Sequence, residues 1–178
     1  MTQKSSDLPP YYNHIYRYAY HFMGSFHDAE DVRQEVFCRY YDALSKDESK
    51  RSYQGNQLRN YLYFIARNYM IDIIRQRGLH GKIAIDEDGD VSLVYSGLTA
   101  SGASPEQAAQ TSELQAIVRQ KVSQLTPQKQ EILHLRYVEQ MKAKDIAEII
   151  GKSYGNVRRI LSVSFAELSK DKELEALN

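Results

Sequence analysis

Apolar side chains recur every three or four residues along the first half of the chain, which is the spacing of amphipathic α-helices. No stretch shows the sustained alternation of apolar and polar residues that is typical of β-strands. Three helices are predicted here: one from Tyr12 to Met23, one that begins near Asp28, and one from Leu58 to Gly78.

Residues 79–103 mix Gly, Ser, Asp and small apolar residues without a period, which is typical of a flexible linker. Short extended pieces are allowed at Ile83, Ile85, Val91, Leu93 and Val94, but no sheet is expected. Further on, Ser104-Pro105 and Thr126-Pro127 each place a capping residue before a proline, which indicates a helix start. Helices are predicted from Ser104 to about Gln124, from Thr126, over 143–150 and over 153–169. The predicted fold class is all-α, with two small helical domains, 1–78 and 104–178, joined by a flexible acidic linker at 79–103.

The segment from Lys142 to Ile160 has the spacing of a helix-turn-helix. Ala147 is small enough for two helices to cross closely, and Gly151, four residues later, suits the sharp turn. Ser153 is suited to cap the second helix, which in this motif fits the major groove of DNA. A plain helical hairpin is the alternative. The polar residues predicted to face outward on or beside that helix are Lys152, Tyr154, Asn156, Arg158 and Arg159.

Charge is balanced overall but unevenly distributed. The chain of 178 residues has 23 basic and 23 acidic residues and a formal net charge of +0. Residues 51–82 carry six basic residues against the single acid Asp72, residues 83–116 carry only acids, and basic residues lead again over 117–170. Two basic segments separated by an acidic segment favour nucleic-acid binding. The alternative is that these charges cluster by chance and only solvate the helix faces.

Several classes of site are not expected. One cysteine forms neither an internal disulfide nor a cysteine-based zinc site, and the five histidines lack metal-ligand spacing. We find no phosphate-binding glycine loop, no secretory signal and no apolar run of the ~20 residues that a membrane helix needs. The sequence therefore predicts a cytoplasmic protein that is not an enzyme, with no metal, no cofactor and no membrane insertion.

Two helices carry contrasting candidate surfaces. The segment 58–77 interleaves arginines with tyrosines on its predicted exposed side, which suits opened or single-stranded DNA, although periodicity also allows most tyrosines to be core residues. Near the start of the second helix, Asp31, Gln34 and Glu35 form a negative patch that suits a basic protein partner. A solvated helix start is the alternative there.

Three blocks, at 28–37, 61–75 and 125–139 followed by the helix-turn-helix, resemble in order the extracytoplasmic-function (ECF) sigma factors of bacterial RNA polymerase. The resemblance implies that Asp31, Gln34 and Glu35 bind core RNA polymerase. It implies promoter DNA as a second partner and an anti-sigma factor as a further candidate. The residues it places at the minus-ten element are Arg51, Tyr53, Arg67, Asn68, Asp72 and Arg75. Those it places at the minus-thirty-five element are Lys152, Tyr154, Asn156, Arg158 and Arg159.

The sequence departs from the family pattern at two places. Tyr61 stands where the family often has Trp, and the second half of the recognition helix is apolar or acidic at Ile160, Val163, Phe165 and Glu167, where the family is richly basic. Two other interpretations therefore stay open at this point. One is a stand-alone helix-turn-helix regulator that binds an operator as a dimer, and the other is a helical bundle that binds only protein.

Overall fold

The computed structural model describes residues 9–85, 89, 91–94 and 120–170. Its N-terminal part consists of α1 (Pro9–Met23), α2 (Phe26–Lys46) and α3 (Gly55–Gln76), with a 3-10 helix at Glu48–Ser52 between α2 and α3. All three predicted helices are confirmed. They bury the apolar stripes that predicted them, and Ile15, Phe22, Val36 and Leu62 are almost wholly inaccessible to solvent.

Local capping explains where α2 begins. Gly24 takes a positive φ of 66°, a conformation that costs glycine little, and so lets the chain turn sharply after α1. The Ser25 hydroxyl then accepts a hydrogen bond from the backbone N–H of Asp28 at 3.3 Å, which satisfies one of the free N–H groups of the new helix.

The described part of the predicted linker contains a small sheet. A 3-10 turn at His80–Lys82 leads into β1 (Ile83–Ile85), which pairs antiparallel with β2 (Val91–Leu93), so that Ile83 lies opposite Leu93. The expectation that no sheet forms in this segment is therefore wrong. Strands of three residues are too short to show an alternating pattern, and this one is stabilised by burial, since Leu93 is fully inaccessible.

The C-terminal part consists of α4 (Pro127–Leu133), which continues as a π-helical segment at His134–Val138, followed by α5 (Ala143–Ile150) and α6 (Tyr154–Ser169). The turn between α5 and α6 is as predicted. Gly151 has φ of 72° and donates its N–H to Ala147 at 3.0 Å, while Ser153 accepts from the N–H of Asn156 at 3.2 Å. The helix-turn-helix is confirmed. Most of the helix predicted from Ser104 to Gln124 lies outside the described residues, and 120–123 are helical.

The two sets of helices share a continuous hydrophobic cluster. α3 packs against α1 and α2 and also against α5, while α4 contacts both strands and α6. The cluster runs from Ile15 and Leu62 through Leu93 to Ile132, Ile146 and the other buried side chains of the C-terminal helices. α3 is therefore buried on two sides, which leaves only part of its surface exposed.

Candidate nucleic-acid interface

Four of the six residues predicted to face the minus-ten element lie together on α3. Arg67, Asn68, Asp72 and Arg75 line one cavity of about 210 Å³. Asp72 and Arg75 are exposed and Asn68 is half-buried. This spacing brings amide, carboxylate and guanidinium groups to one helix surface, where they offer donors and acceptors to a base edge and positive charge to a phosphate.

The sequence predicts Arg67 on an exposed side of α3, but the structure buries it. Only 7% of Arg67 is exposed, and its Nε donates to Oε1 of Glu131 on α4 at 2.6 Å. Its Nη2 donates to Oε2 of the same carboxylate at 3.3 Å and to the carbonyl of Val91 on β2. Glu131 also accepts the backbone N–H of Leu93 at 3.0 Å. The buried pair thus joins α3, α4 and the strand pair.

Further polar contacts join the same face of α3 to the C-terminal helices. Asn60 donates through Nδ2 to Asp145 at 2.8 Å and to Glu148 at 3.2 Å, both on α5. The hydroxyl of the fully buried Tyr63 donates to Oε2 of Glu139. Burial and the neighbouring Glu139 carboxylate raise the pKa of Tyr63 far above its ordinary value, so this hydroxyl remains a donor.

Glu139 lies at the centre of a buried titratable cluster. Burial acts to raise the pKa of its carboxyl group, but the His134 imidazole 3.4 Å away and the hydrogen bond from Tyr63 outweigh burial and hold that pKa below its ordinary value. The His134 ring lies 4.9 Å from the ring of His21 on α1, measured between centroids. Burial, followed by this second imidazole, lowers the pKa of His21 to about 4. His21 therefore favours its neutral form in the folded chain.

The other end of α3 forms an aromatic cavity. Tyr53 packs edge-to-face on Tyr61 with centroids 5.5 Å apart, and the two rings line a second cavity of about 210 Å³ with Phe64 and Glu148. Lys50 lies 5.7 Å from the centre of the Tyr61 ring. Phe64 was not predicted as a site residue, and it is 43% exposed although apolar. The signal that could have identified Phe64 is its place in the sequence, because it is an apolar residue that falls outside the buried stripe of α3.

Arg51 precedes Tyr53 by two residues in the sequence and is exposed, with its guanidinium 3.5 Å from the carboxylate of Glu48. This is a surface pair between residues three apart, and such pairs contribute little and dissociate readily. The contact of Arg51 with the minus-ten element therefore stays a prediction.

The acidic patch of α2 faces solvent. Asp31 and Gln34 are exposed, and Glu35 is half-buried with its carboxylate 2.8 Å from Nε of Arg39. Gln34 donates to Glu30 at 3.1 Å, one turn earlier. The three predicted polymerase-binding residues thus lie on one exposed helix face, away from the buried stripe of α2.

The outward face of α6 carries four of the five residues predicted for the minus-thirty-five element. Arg158 lies 5.6 Å from the centre of the Tyr154 ring, and Arg159 donates to Oδ1 of Asn156 at 3.0 Å. Tyr154 and Arg158 line a groove of about 830 Å³ that also contains Arg136, Lys142, Lys144 and Phe165. Neither Arg136 nor Tyr137, which also lines the groove, was predicted from the sequence to lie at this surface. Lys152 lies elsewhere, in the cavity that contains Arg67 and Asn68.

Among residues 9–85, 89, 91–94 and 120–170, no group of His, Cys, Asp and Glu side chains is placed to hold a metal ion. Over the same residues, no helix combines the length and apolar character needed to span a bilayer.

Comparison with known proteins identifies both parts of the chain. The family descriptions "Sigma-70 region 2" and "Sigma-70, region 4" match residues 10–79 and 115–165. The ECF RNA polymerase sigma factor SigW of Bacillus subtilis is 30% identical over 149 residues, which cover 83% of this chain and 77% of SigW. The corresponding SigE of Mycolicibacterium smegmatis is 31% identical over 81% of this chain and 51% of its own length.

One solved structure supports the fold. It is the sigma factor RpoE of Bartonella quintana in complex with the anti-sigma factor NepR, which is 20% identical and covers 93% of each chain with a TM-score of 0.61. Fold similarity at this identity confirms the helical architecture.

Proposed function

The chain belongs to the ECF family of RNA polymerase sigma factors, and from that premise we propose which of its surfaces engage the polymerase and the promoter. A sigma factor binds core RNA polymerase and directs it to specific promoters. Each of these steps uses a separate surface of this chain.

The α2 patch of Asp31, Gln34 and Glu35 binds core polymerase. The support is its exposure and charge, because a negative, solvated helix face repels DNA phosphates and attracts a basic protein surface. Such a contact also fixes the orientation of α3, which packs directly on α2.

The exposed surface of α3 binds the minus-ten element in its opened form. The observation that carries this assignment is the common cavity of Asn68, Asp72 and Arg75, and the Tyr53–Tyr61 aromatic cavity lies nearer the start of the same helix. Unstacking a base costs a few kcal/mol, which a pocket with an aromatic face offsets by stacking at about 1–3 kcal/mol per base. Arg67 joins this set only where its pair with Glu131 is open.

The outward face of α6 binds the minus-thirty-five element as duplex DNA. In this proposal Arg158 and Arg159 donate to guanine and Asn156 pairs with adenine, while Lys142 and Lys144 near the start of α5 contact phosphates; the support is that Arg158, Lys142 and Lys144 line one groove. Phe165, in the same groove, is apolar and adds no positive charge for phosphates. Two DNA-binding surfaces of modest strength gain affinity when the polymerase holds both on one promoter.

The chemistry of RNA synthesis belongs to the polymerase, and we assign no catalytic residue, metal or cofactor to this chain. We place the protein in the cytoplasm, where core polymerase acts. Because the relative RpoE forms a complex with an anti-sigma factor, we include a protein of that kind among the partners. An operator-binding dimer is not favoured, because it would leave the region 2 match over residues 10–79 without a role.

Reconstituted transcription tests these assignments. Core polymerase with this chain is incubated with genomic DNA of the source organism, and the RNA 5′ ends are mapped. We expect initiation at a defined set of promoters and its loss with Asn68→Ala or Asp72→Ala, because those variants remove base contacts in the opened minus-ten element. Asp42→Asn, at an exposed helical pair with Lys46, is the control and should transcribe normally. Absence of promoter-dependent RNA from the unaltered chain would refute the proposal.

A further inference from the structure

The groove beside α6 combines positive charge with exposed aromatic rings. The described residues that line it include four cations and no acid; the cations are Arg136, Lys142, Lys144 and Arg158. Three rings line the same groove, and their exposed fractions are 58% for Tyr137, 51% for Tyr154 and 60% for Phe165. Single apolar residues are common on protein surfaces, but three exposed rings around one groove form a patch, and such patches mark interaction sites.

Phe165 belongs to the same stripe of α6 as two of the residues proposed to bind DNA. Positions 154, 158, 161 and 165 are three or four residues apart, and all four line the groove. A different side of the helix is buried, through Val157, Ile160 and Ser164. Phe165 is therefore presented to the same ligand as Tyr154 and Arg158, and the match to region 4 extends as far as this residue.

The charge of the groove favours DNA as that ligand. Four cations without an acid attract a polyanion, and phosphate contacts hold a protein in position on the duplex without reading its sequence. A lysine or arginine at position 165 would add one more contact of that kind. A phenylalanine ring cannot bind a phosphate in this way, so its contact with DNA must be of another chemistry.

Thymine is the base that offers an apolar group in the major groove. Its C5 methyl group projects there, and apolar side chains, including that of Phe, recognise it by contact. Guanine and adenine offer acceptors and donors at the same edge, which suit arginine and asparagine instead. A ring that is 60% exposed on a DNA-facing stripe thus has one matching feature among the four base pairs.

The length of α6 between Arg158 and Phe165 predicts where that thymine lies. The two residues are seven positions apart, which corresponds to about 10 Å along a helix at 1.5 Å per residue. Successive nucleotides of one strand are about 3.4 Å apart. A helix that follows the major groove therefore places Phe165 about three base pairs from the base that Arg158 reads.

We propose that Phe165 is a specificity-determining residue of the α6 surface, and that its ring contacts the methyl group of a thymine in the minus-thirty-five element. This inference rests on the proposed assignment of α6 to that element. The chain then gains selectivity for thymine at a position where a basic side chain would supply phosphate affinity without selectivity.

Replacement of thymine by deoxyuridine tests this contact, because deoxyuridine lacks the C5 methyl group and keeps the O4 acceptor of thymine. The DNA is a promoter mapped by the reconstituted transcription described above. Each thymine of its minus-thirty-five element is replaced in turn, and a thymine in the spacer is replaced as the control. The dissociation constant of the complex of core polymerase with the full-length chain is measured by competition at fixed salt.

The unaltered chain is compared with Phe165→Ala. Val163→Ala is the matched control, because Val163 is 38% exposed on the same helix but lies outside the lining of the groove. We expect uridine at one position to weaken binding by the unaltered chain about fourfold, which is the effect of burying one methyl group. The same replacement should have no effect on Phe165→Ala and its full effect on Val163→Ala.

Equal affinity of the unaltered chain for thymine and uridine at every position would overturn the inference. A methyl effect that survives in Phe165→Ala, or that disappears in Val163→Ala, would also overturn it. The same holds if the mapped minus-thirty-five elements share no thymine. If Phe165→Ala binds every promoter as the unaltered chain does, DNA does not reach Phe165, and a protein segment is the remaining occupant of the groove.

A separate comparison shows whether the assignment of α6 itself stands. The affinity of Arg158→Ala for the mapped promoter is measured, together with that of the unaltered chain for a promoter with a scrambled minus-thirty-five element. Weaker binding in both cases supports α6 as the reader of this element even where the methyl contact fails. Unchanged binding in both cases refutes the assignment of α6 and the inference with it.

Discussion

The Arg67–Glu131 pair provides a direct energetic test of the contact between the two sets of helices. We consider Glu131→Gln, Arg67→Gln and the double variant in a double-mutant cycle. The two side chains are 9% and 2% exposed, and their atoms approach to 2.6 Å. Removing one partner of such a buried pair leaves an uncompensated charge and costs about 3–5 kcal/mol, whereas an exposed pair contributes about 0–1 kcal/mol.

The stability of the contact between the two sets of helices sets an upper limit on the cost of removing Glu131. If α4 separates from α3 in the Glu131→Gln variant, water solvates Arg67 and the loss stops at the free energy that holds the two sets of helices together. We therefore expect Glu131→Gln to lower the free energy of unfolding by about 3 kcal/mol and the cycle to give a coupling of about 2 kcal/mol.

Urea unfolding followed by far-UV circular dichroism measures these values, because the chain contains no Trp for fluorescence. Near-coincident transitions by a second probe are needed before one free energy is assigned to two domains. The same cycle at Glu35 and Arg39, a pair 2.8 Å apart with both side chains more than a third exposed, is the control. A coupling at Arg67–Glu131 as small as at this control would refute the claim of a buried pair.

Three further predictions concern other parts of the chain. Asp31→Lys with Glu35→Lys should weaken binding to core polymerase by about 10–100-fold at low salt and less at high salt. The dissociation constant is measured by surface plasmon resonance with immobilised core polymerase. Gly151→Ala should cost about 1–2 kcal/mol of stability in urea, because Gly151 has φ of 72° and open space around a Cβ, so only backbone strain is added. A cost near zero would contradict that reasoning. Because the pKa of His21 is lowered from 6.5 to about 4, the unfolded chain binds the extra proton between these values. Stability should therefore fall as pH drops from 6.5 towards 4, by about 1–2 kcal/mol after discounting for partial exposure, and His21→Gln should flatten that slope in urea titrations at several pH values.

The helices could be predicted from sequence because each buries a continuous stripe and is punctuated by local signals. Ser153 caps α6 through its own hydroxyl, and Gly151 ends α5 through its backbone conformation. Both helix ends can therefore be predicted from a few neighbouring residues. The strand pair could not be predicted in the same way. Ile83 and Leu93 are held by pairing and by burial against α4, which a local pattern does not record.

In the candidate site, too, features set by local spacing could be predicted from the sequence, and features set by distant contacts could not. Asn68, Asp72 and Arg75 share a helix surface because of their spacing, and the structure brings them to one cavity. The burial of Arg67 could not be predicted, because its partner Glu131 is 64 residues further along the chain. Charged residues on a helix ordinarily indicate a solvated face. Only the tertiary contact shows that this one is paired and covered.

Photo-crosslinking from α3 tests the central claim most directly, because one position reports on both states of this surface. The photoreactive residue p-benzoylphenylalanine replaces Phe64, which is 43% exposed and lines the aromatic cavity together with Glu148 of α5. The account predicts crosslinks to the C-terminal helices in the free chain, and crosslinks to the non-template strand near the minus-ten element in the polymerase–promoter complex. Crosslinks to the C-terminal helices that persist undiminished in a transcribing complex, with none to DNA, would contradict it.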